Sequence, residues 1–172
     1  MINLKSFIRD IPDFPKKGII FKDITPLLKN GAAFRRVVKA IAAKYKKAEV
    51  DAVLGVEARG FIFGAAVAHE LGVGFLPVRK PGKLPYKTKS VTYDLEYGTD
   101  TLEIHDDAIK KGDKIIIVDD LLATGGTVAA CCKMAEGLGG KVLGISFVIE
   151  LGFLKGRAKL AGYDVVSLIN YD

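Results

Sequence analysis

Residues Lys114 to Thr127 read K-I-I-I-V-D-D-L-L-A-T-G-G-T: an apolar run, two adjacent carboxylates, then a glycine pair between threonines. Ile115 to Val118 form a continuous branched aliphatic run, the pattern of a strand covered on both faces. It delivers Asp119, Asp120 and the following loop to the carboxyl edge of a sheet, where open parallel sheets bind ligands. Thr124, Gly125, Gly126 and Thr127 then open a helical pattern. A helix start offers unpaired N–H groups and about half a positive charge, and glycines let an anion approach the backbone closely. Asp119 and Asp120 would repel an anion, but they can accept from hydroxyls or help hold a divalent cation. Successive strand residues face opposite ways, so the two act together only if the chain is already turning. One ligand that satisfies both halves of the string carries hydroxyls and a phosphate. The string is neither a G-x-x-x-x-G-K-[ST] loop nor a G-x-G-x-x-G fingerprint.

Outward from this stretch, strand and helix patterns alternate. Ala33 to Lys46 set Phe34, Val37, Val38, Ile41, Ala42 and Tyr45 on one helical face, with basic residues opposite. A short strand is expected from Asp51 to Val56, a helix from Arg59 to Leu71 and a strand from Gly74 to Val78. Beyond the opening stretch follow a helix from Gly126 to Leu138 and strands over Val142 to Ile149 and Asp164 to Ile169. The expected fold class is therefore α/β, a parallel sheet flanked by helices. Ser90 to Ile104 breaks the rhythm by alternating polar and apolar residues around Tyr97-Gly98-Thr99, and predicts an antiparallel hairpin outside the core. Lys80 to Lys87 reads as a mobile loop, giving a flap region of about residues 80–105. The first 30 or so residues, with Pro12, Pro15, Gly18 and Pro26, read as a wrapping arm rather than a sheet element.

At 172 residues, close to the usual length of about 150 per domain, the chain is expected to form one domain over 1–172. A hydrophobic share of 49% with 27% charged residues, and no repeat, is the composition of a globular protein. The net charge of +6 favours anionic partners without choosing among them. The basic residues are dispersed, and the chain has no zinc-site spacing, no RNA-binding aromatic motif and no concentrated arginine patch, which argues against a nucleic-acid binder. No signal-peptide core and no membrane-length apolar run is present, so no membrane association is expected. Cys131 and Cys132 are neighbours in a helical pattern and lack metal-ligand spacing with His69 or His105; they are expected to be reduced packing residues of a cytoplasmic protein.

The string I-I-I-V-D-D-L-L-A-T-G-G-T resembles the phosphoribosyl pyrophosphate motif of the type I phosphoribosyltransferases, in the form of their adenine-specific branch. F-P-K-K-G-I-I-F-K-D-I-T-P-L-L, G-V-E-A-R-G-F-I-F-G, P-V-R-K-P-G-K-L-P and Y-D-L-E-Y-G-T-D-T-L-E-I-H are similar to that branch's segments in the same order, so the resemblance spans nearly the whole chain. It implies the type I phosphoribosyltransferase fold, and transfer of a phosphoribosyl group from phosphoribosyl pyrophosphate to adenine, giving AMP and pyrophosphate in purine salvage. It also implies a homodimer, and Mg²⁺ as cofactor, held mainly by the substrate's pyrophosphate and ribose hydroxyls.

By the same resemblance, Asp119 and Asp120 contact the ribose, while Ala123, Thr124, Gly125, Gly126 and Thr127 bind the 5′-phosphate. Arg59 belongs to the pyrophosphate loop, and Arg79, Lys80 and Lys83 are further pyrophosphate ligands, some reaching across the dimer. Adenine is held by Ile20, Phe21 and Lys22 of the arm, with Phe21 on one face and Leu121 on the other. Lys22 stands where an arginine is more usual, which leaves open whether backbone or side chain reads the base. Glu96 is the candidate for proton exchange with the purine, and Tyr97 for closing the flap over the site. The competing readings are a regulator that binds phosphoribosyl pyrophosphate without turning it over, and a transferase acting on another base.

Overall fold

The computed structural model describes residues 3–94 and 98–172. The described residues contain strands β1 (Arg9–Ile11), β2 (Phe21–Asp23), β3 (Ala52–Val56), β4 (Gly74–Val78), β5 (Thr88–Asp94), β6 (Thr99–His105), β7 (Lys114–Leu122), β8 (Lys141–Leu151) and β9 (Val165–Tyr171). The helices are α1 (Thr25–Lys29), α2 (Gly31–Tyr45), α3 (Arg59–Leu71) and α4 (Gly126–Gly137). Short 3-10 turns cover Leu4–Phe7, Gly152–Leu154 and Gly156–Leu160.

The central sheet has the order β4-β3-β7-β8-β9, and every neighbouring pair runs parallel. The chain leaves β3 through α3 toward β4 on one side, and leaves β7 through α4 toward β8 on the other. Between β3 and β7 the direction of winding therefore reverses, which is where a doubly wound sheet opens a crevice at its carboxyl edge. Ile116 and Val118 bury against α2 and α3, with Val37, Ile41, Phe63 and Val67. Ile115 and Ile117 bury on the opposite face against α4 and the β5–β6 hairpin, with Val128, Cys131, Leu102 and Ile104. The alternating faces of one apolar run thus anchor two core layers. Both cysteines are free and buried there, as expected of packing residues.

Two expectations need correction. The arm is not purely irregular: β1 and β2 pair antiparallel in a small sheet of their own, Arg9 opposite Asp23, followed by α1. Its charged three-residue strands carry no alternation, so the pattern could not announce them. The second correction is that β7 runs four residues past Val118, to Leu122, which keeps both aspartates within the strand. The antiparallel hairpin stands where expected, with Thr88 opposite His105 and Asp94 opposite Thr99. Its tip, with Glu96 and Tyr97, lies outside the described residues. No helix among the described residues is long and apolar enough to cross a membrane.

Candidate active site

The crevice at the reversal point is framed by two helix starts that no side chain caps. α3 follows Ala58 and α4 follows Gly125, neither with a capping hydrogen bond, whereas α2 is capped by Asn30 accepting from Ala33 N at 2.9 Å. The N–H groups at the start of α4 are therefore available to an anion. Gly125 takes φ +79°, the left-handed region that glycine adopts without strain, and so turns the chain from β7 into α4. A cavity of about 80 Å³ sits in this turn, lined by Asp119, Leu121 to Gly125, Thr127 and Val128. Larger grooves of about 790 and 550 Å³ lie along α2 and are lined by none of the candidate groups.

Although consecutive in a strand, Asp119 and Asp120 both address the start of α3. Arg59 Nη2 stands 2.7 Å from Asp120 Oδ2, and a Cβ added to Gly60 would lie 2.7 Å from Asp119 Oδ1. Only a glycine lets the helix come this close. Asp119 Oδ1 also accepts from Asp120 N at 2.8 Å. Asp120 Oδ2 receives no aligned N–H despite the short distance to Arg59, so the contact is Coulombic and leaves hydrogen-bonding capacity unused. Burial pushes the Asp119 carboxyl well above the usual carboxylate range, and the neighbouring Asp120 charge adds to this. Burial raises Asp120 as well, while Arg59 pulls it back down. Two carboxylates held this way gain from any ligand that offers hydroxyl donors or positive charge.

Arg59 also ties the arm to this centre. Its Nη1 donates to Lys22 O at 3.5 Å, and its guanidinium lies 5.0 Å from the Phe21 ring centroid. The Lys22 side chain turns away: Nζ donates to Asp10 Oδ1 at 2.7 Å and sits 3.8 Å from the centre of the Tyr171 ring. Thus only the backbone of Lys22 faces the crevice, and the lysine-for-arginine difference falls outside it. Phe21 packs edge-on against Phe14 with centroids 5.2 Å apart, and Phe14 and Ile20 are exposed. Phe14 is an aromatic neighbour of the base segment that sequence reasoning passed over, although it opens the quoted F-P-K-K-G string.

The basic segment joins the same centre through Glu57, two residues before Arg59. Glu57 Oε2 accepts from Arg79 Nε at 2.8 Å and Oε1 from Lys80 N at 2.8 Å. Burial works against the Glu57 charge, yet Lys80 N–H, Arg79 and the Lys83 charge together hold its carboxyl below the ordinary value. Arg79 Nη1 donates in turn to Lys83 O at 3.3 Å. The Lys80 ammonium pairs with Asp100, whose Oδ2 also accepts from Tyr93 OH at 3.2 Å, and Tyr93 OH lies 3.2 Å from Thr127 Oγ1. Two sets of contacts therefore stand at the carboxyl ends of β3 and β7: Asp120 with Arg59, and a chain from Glu57 through Arg79 and Lys80 to Asp100, Tyr93 and Thr127. Among the candidates, Asp120, Arg59, Arg79, Lys80, Lys83 and Thr127 take part in them. Glu57, Tyr93 and Asp100 were not singled out from the sequence, though all three stand inside the motifs quoted above.

Residues 24–167 match the model of the phosphoribosyl transferase domain family. The chain belongs to that family. It is 59% identical over 170 residues to the adenine phosphoribosyltransferase of Kosmotoga olearia, covering 99% of this chain and 100% of the relative. With that of Solibacter usitatus it shares 58% over 172 residues, covering 100% and 99%. Among solved structures, the adenine phosphoribosyltransferase of Thermoanaerobacter pseudethanolicus superposes with a TM-score of 0.95 at 58% identity, covering 98% of each chain. The Saccharomyces cerevisiae enzyme, crystallised with an imino-altritol bisphosphate and adenine, gives a TM-score of 0.91 at 43% identity, covering 96% of each. The family's fold is the α/β sheet with flap hairpin and arm described above.

Proposed function

We propose that this chain transfers the 5-phosphoribosyl group of phosphoribosyl pyrophosphate to adenine, giving AMP and pyrophosphate, and so serves purine salvage. The observation that carries the reading is the meeting of two carboxylates, the uncapped start of α4 and the basic residues Arg59, Arg79 and Lys80 at one sheet edge, beside an aromatic arm. Asp119 and Asp120 accept from the ribose hydroxyls, and Ala123 to Thr127 hold the 5′-phosphate on the backbone N–H groups of α4. The family likeness and the full-length likeness to adenine-specific relatives support adenine as the base.

As the bond to pyrophosphate breaks, negative charge accumulates on the leaving group, so cations fixed there in advance lower the barrier. Arg59, Arg79, Lys80 and Lys83 take that part. Among the described residues no group of three or more His, Cys, Asp or Glu side chains stands together. A divalent cation would therefore be held mainly by the substrate's own pyrophosphate and ribose oxygens, with the Asp119–Asp120 carboxylates beside them. Mg²⁺ held in this way adds positive charge against the departing pyrophosphate. Adenine carries no charge and is held by stacking between Phe21 and Leu121 and by the backbone of Ile20 and Lys22. Glu96 exchanges a proton with the purine, and Tyr97 closes over the site to keep water from the electron-poor sugar carbon. We read the working form as a cytoplasmic homodimer in which part of the basic segment serves the neighbouring site; two buried, free cysteines suit a reducing compartment.

The test is pyrophosphate release by the purified protein with phosphoribosyl pyrophosphate and Mg²⁺, run separately with adenine, hypoxanthine, guanine, xanthine and orotate. Adenine-dependent release is expected. Conversion of another base instead overturns the account of the arm, and binding of phosphoribosyl pyrophosphate with no base converted puts the regulator in its place.

A further inference from the structure

The loop that binds the phosphate does not stand alone. Behind it lies the segment Gly152–Leu160, two short 3-10 turns between β8 and β9 that no motif points to. Backbone meets backbone where the two cross. A Cβ added to Gly156 would fall 2.2 Å from Ala123 O and 3.0 Å from Leu122 Cδ1, and a Cβ added to Gly125 would fall 2.4 Å from Gly156 O. Real Cβ atoms do not approach carbonyls so closely, so each glycine is needed because the backbone of the other segment occupies its side-chain direction. Gly125 is the residue that turns β7 into α4, and Ala123 precedes it by two.

The next residue bolts this segment to the sheet. Arg157 donates Nε to Glu150 Oε1 and Nη2 to Glu150 Oε2, both at 2.7 Å, and Nη1 to Val165 O at 2.9 Å. Glu150, near the end of β8, is buried and also accepts from Ser167 Oγ of β9 at 2.6 Å. A two-pronged guanidinium–carboxylate pair is directional as well as strong, so it fixes where Gly156 sits and not merely that it sits nearby. Leu160, at the far end of the segment, buries against α4, which gives the phosphate-binding helix a second support.

We propose that Gly156 is a positioning residue for phosphate binding: seated by the Arg157–Glu150 pair, it holds Ala123 and Gly125 from behind so that the N–H groups at the start of α4 keep one geometry. This deepens the reading given under Proposed function and rests on it for the identity of the anion. The brace predicts a selective defect. Displacing the loop by a few tenths of an ångström to an ångström weakens binding of every ligand that carries the 5′-phosphate, but affects adenine, held by the arm and by Leu121 ahead of the turn, far less.

The experiment is calorimetric binding of ribose 5-phosphate and of adenine to the full chain, in the wild type, Gly156→Ala and Arg157→Lys, together with steady-state KM and kcat. Gly156→Ala is expected to weaken ribose 5-phosphate and raise the KM for phosphoribosyl pyrophosphate about tenfold to hundredfold, the scale of misplacing a binding group by about an ångström. The adenine dissociation constant should stay within twofold. Arg157→Lys keeps the charge but loses the fork, so it should show the same selectivity at a smaller size; it decides the matter if Gly156→Ala does not fold. Equal loss for both ligands, or a lowered melting temperature with ribose 5-phosphate binding unchanged, overturns the brace. A wild-type chain that binds no ribose 5-phosphate overturns the phosphate-loop assignment itself, and the brace with it.

Discussion

Replacing Arg59 with methionine removes a cation that faces the Asp119–Asp120 pair while keeping most of the side chain's bulk. At 2.7 Å, with an effective dielectric constant of about 20, the direct attraction to Asp120 amounts to about 6 kcal/mol. The Arg59 side chain keeps 32% of its surface in water and Asp120 only 6%, so the attraction is partly screened but the carboxylate left behind is not rehydrated. The net loss then comes to about 2–3 kcal/mol near pH 7, at the low end for breaking a buried pair. For a domain of this length, that lowers the melting temperature by about 4–10 °C. The pH dependence supplies a sharper check. Both carboxyls are raised above the ordinary value of 3.8 in the folded protein, so their ionisation costs stability above the folded pKa, and the cost vanishes as pH falls toward 3.8. Without Arg59 the Asp120 value rises further, so the deficit of the variant should shrink as pH falls from 8 toward 3.8. Denaturant unfolding of both proteins across that pH range measures it. A deficit below about 0.5 kcal/mol at pH 8, the scale of an exposed pair, or one that does not change with pH, would refute the reasoning.

Gly125→Ala places a methyl against Gly156 O and forces a non-glycine residue to φ +79°, and should cost about 2–3 kcal/mol of stability in thermal or denaturant melts. Glu57→Gln keeps the Lys80 N–H contact but loses the charge facing Arg79; the KM for phosphoribosyl pyrophosphate should rise while adenine binding holds. Because the Glu57 carboxyl is held below its ordinary value of 4.5, its contribution to stability is present above that pH and is lost as pH falls through the folded value, so the acid unfolding of Glu57→Gln should be shallower than that of the wild type. Tyr45→Phe leaves the buried Ser146 hydroxyl without its 2.9 Å partner and should cost about 1–2 kcal/mol in denaturant unfolding, with activity untouched.

How much of this was legible in the sequence depends on how local each cause is. The central strand β7, the helices α2 and α3 and the flap hairpin announce themselves, because burial on one or both faces leaves a period in neighbouring residues. The turn from β7 into α4 was equally readable, since a glycine pair at a helix start has a local reason. The arm's ladder was not: Arg9 and Asp10 carry no apolar alternation, and their partners lie a dozen residues away. The side chain of Lys22 could not be placed either, because Asp10 and Tyr171 draw it out of the crevice from opposite ends of the chain. Glu57 and Asp100 looked like ordinary acids until Arg79 and Lys80 were brought beside them. Gly156 left no trace in its own neighbourhood, since what forbids a side chain there is the carbonyl of Ala123. Contacts between distant segments decide such residues, and a period along the chain does not record them.

The account turns on one ligand meeting both halves of the Lys114–Thr127 string. A crystal structure of the protein soaked with AMP tests this most directly. The account predicts the phosphate at the start of α4, within hydrogen-bond distance of backbone N–H groups between Thr124 and Thr127, the ribose hydroxyls on Asp119 and Asp120, and the purine against Phe21. A phosphate bound elsewhere, or a ribose turned away from the two carboxylates, would contradict it.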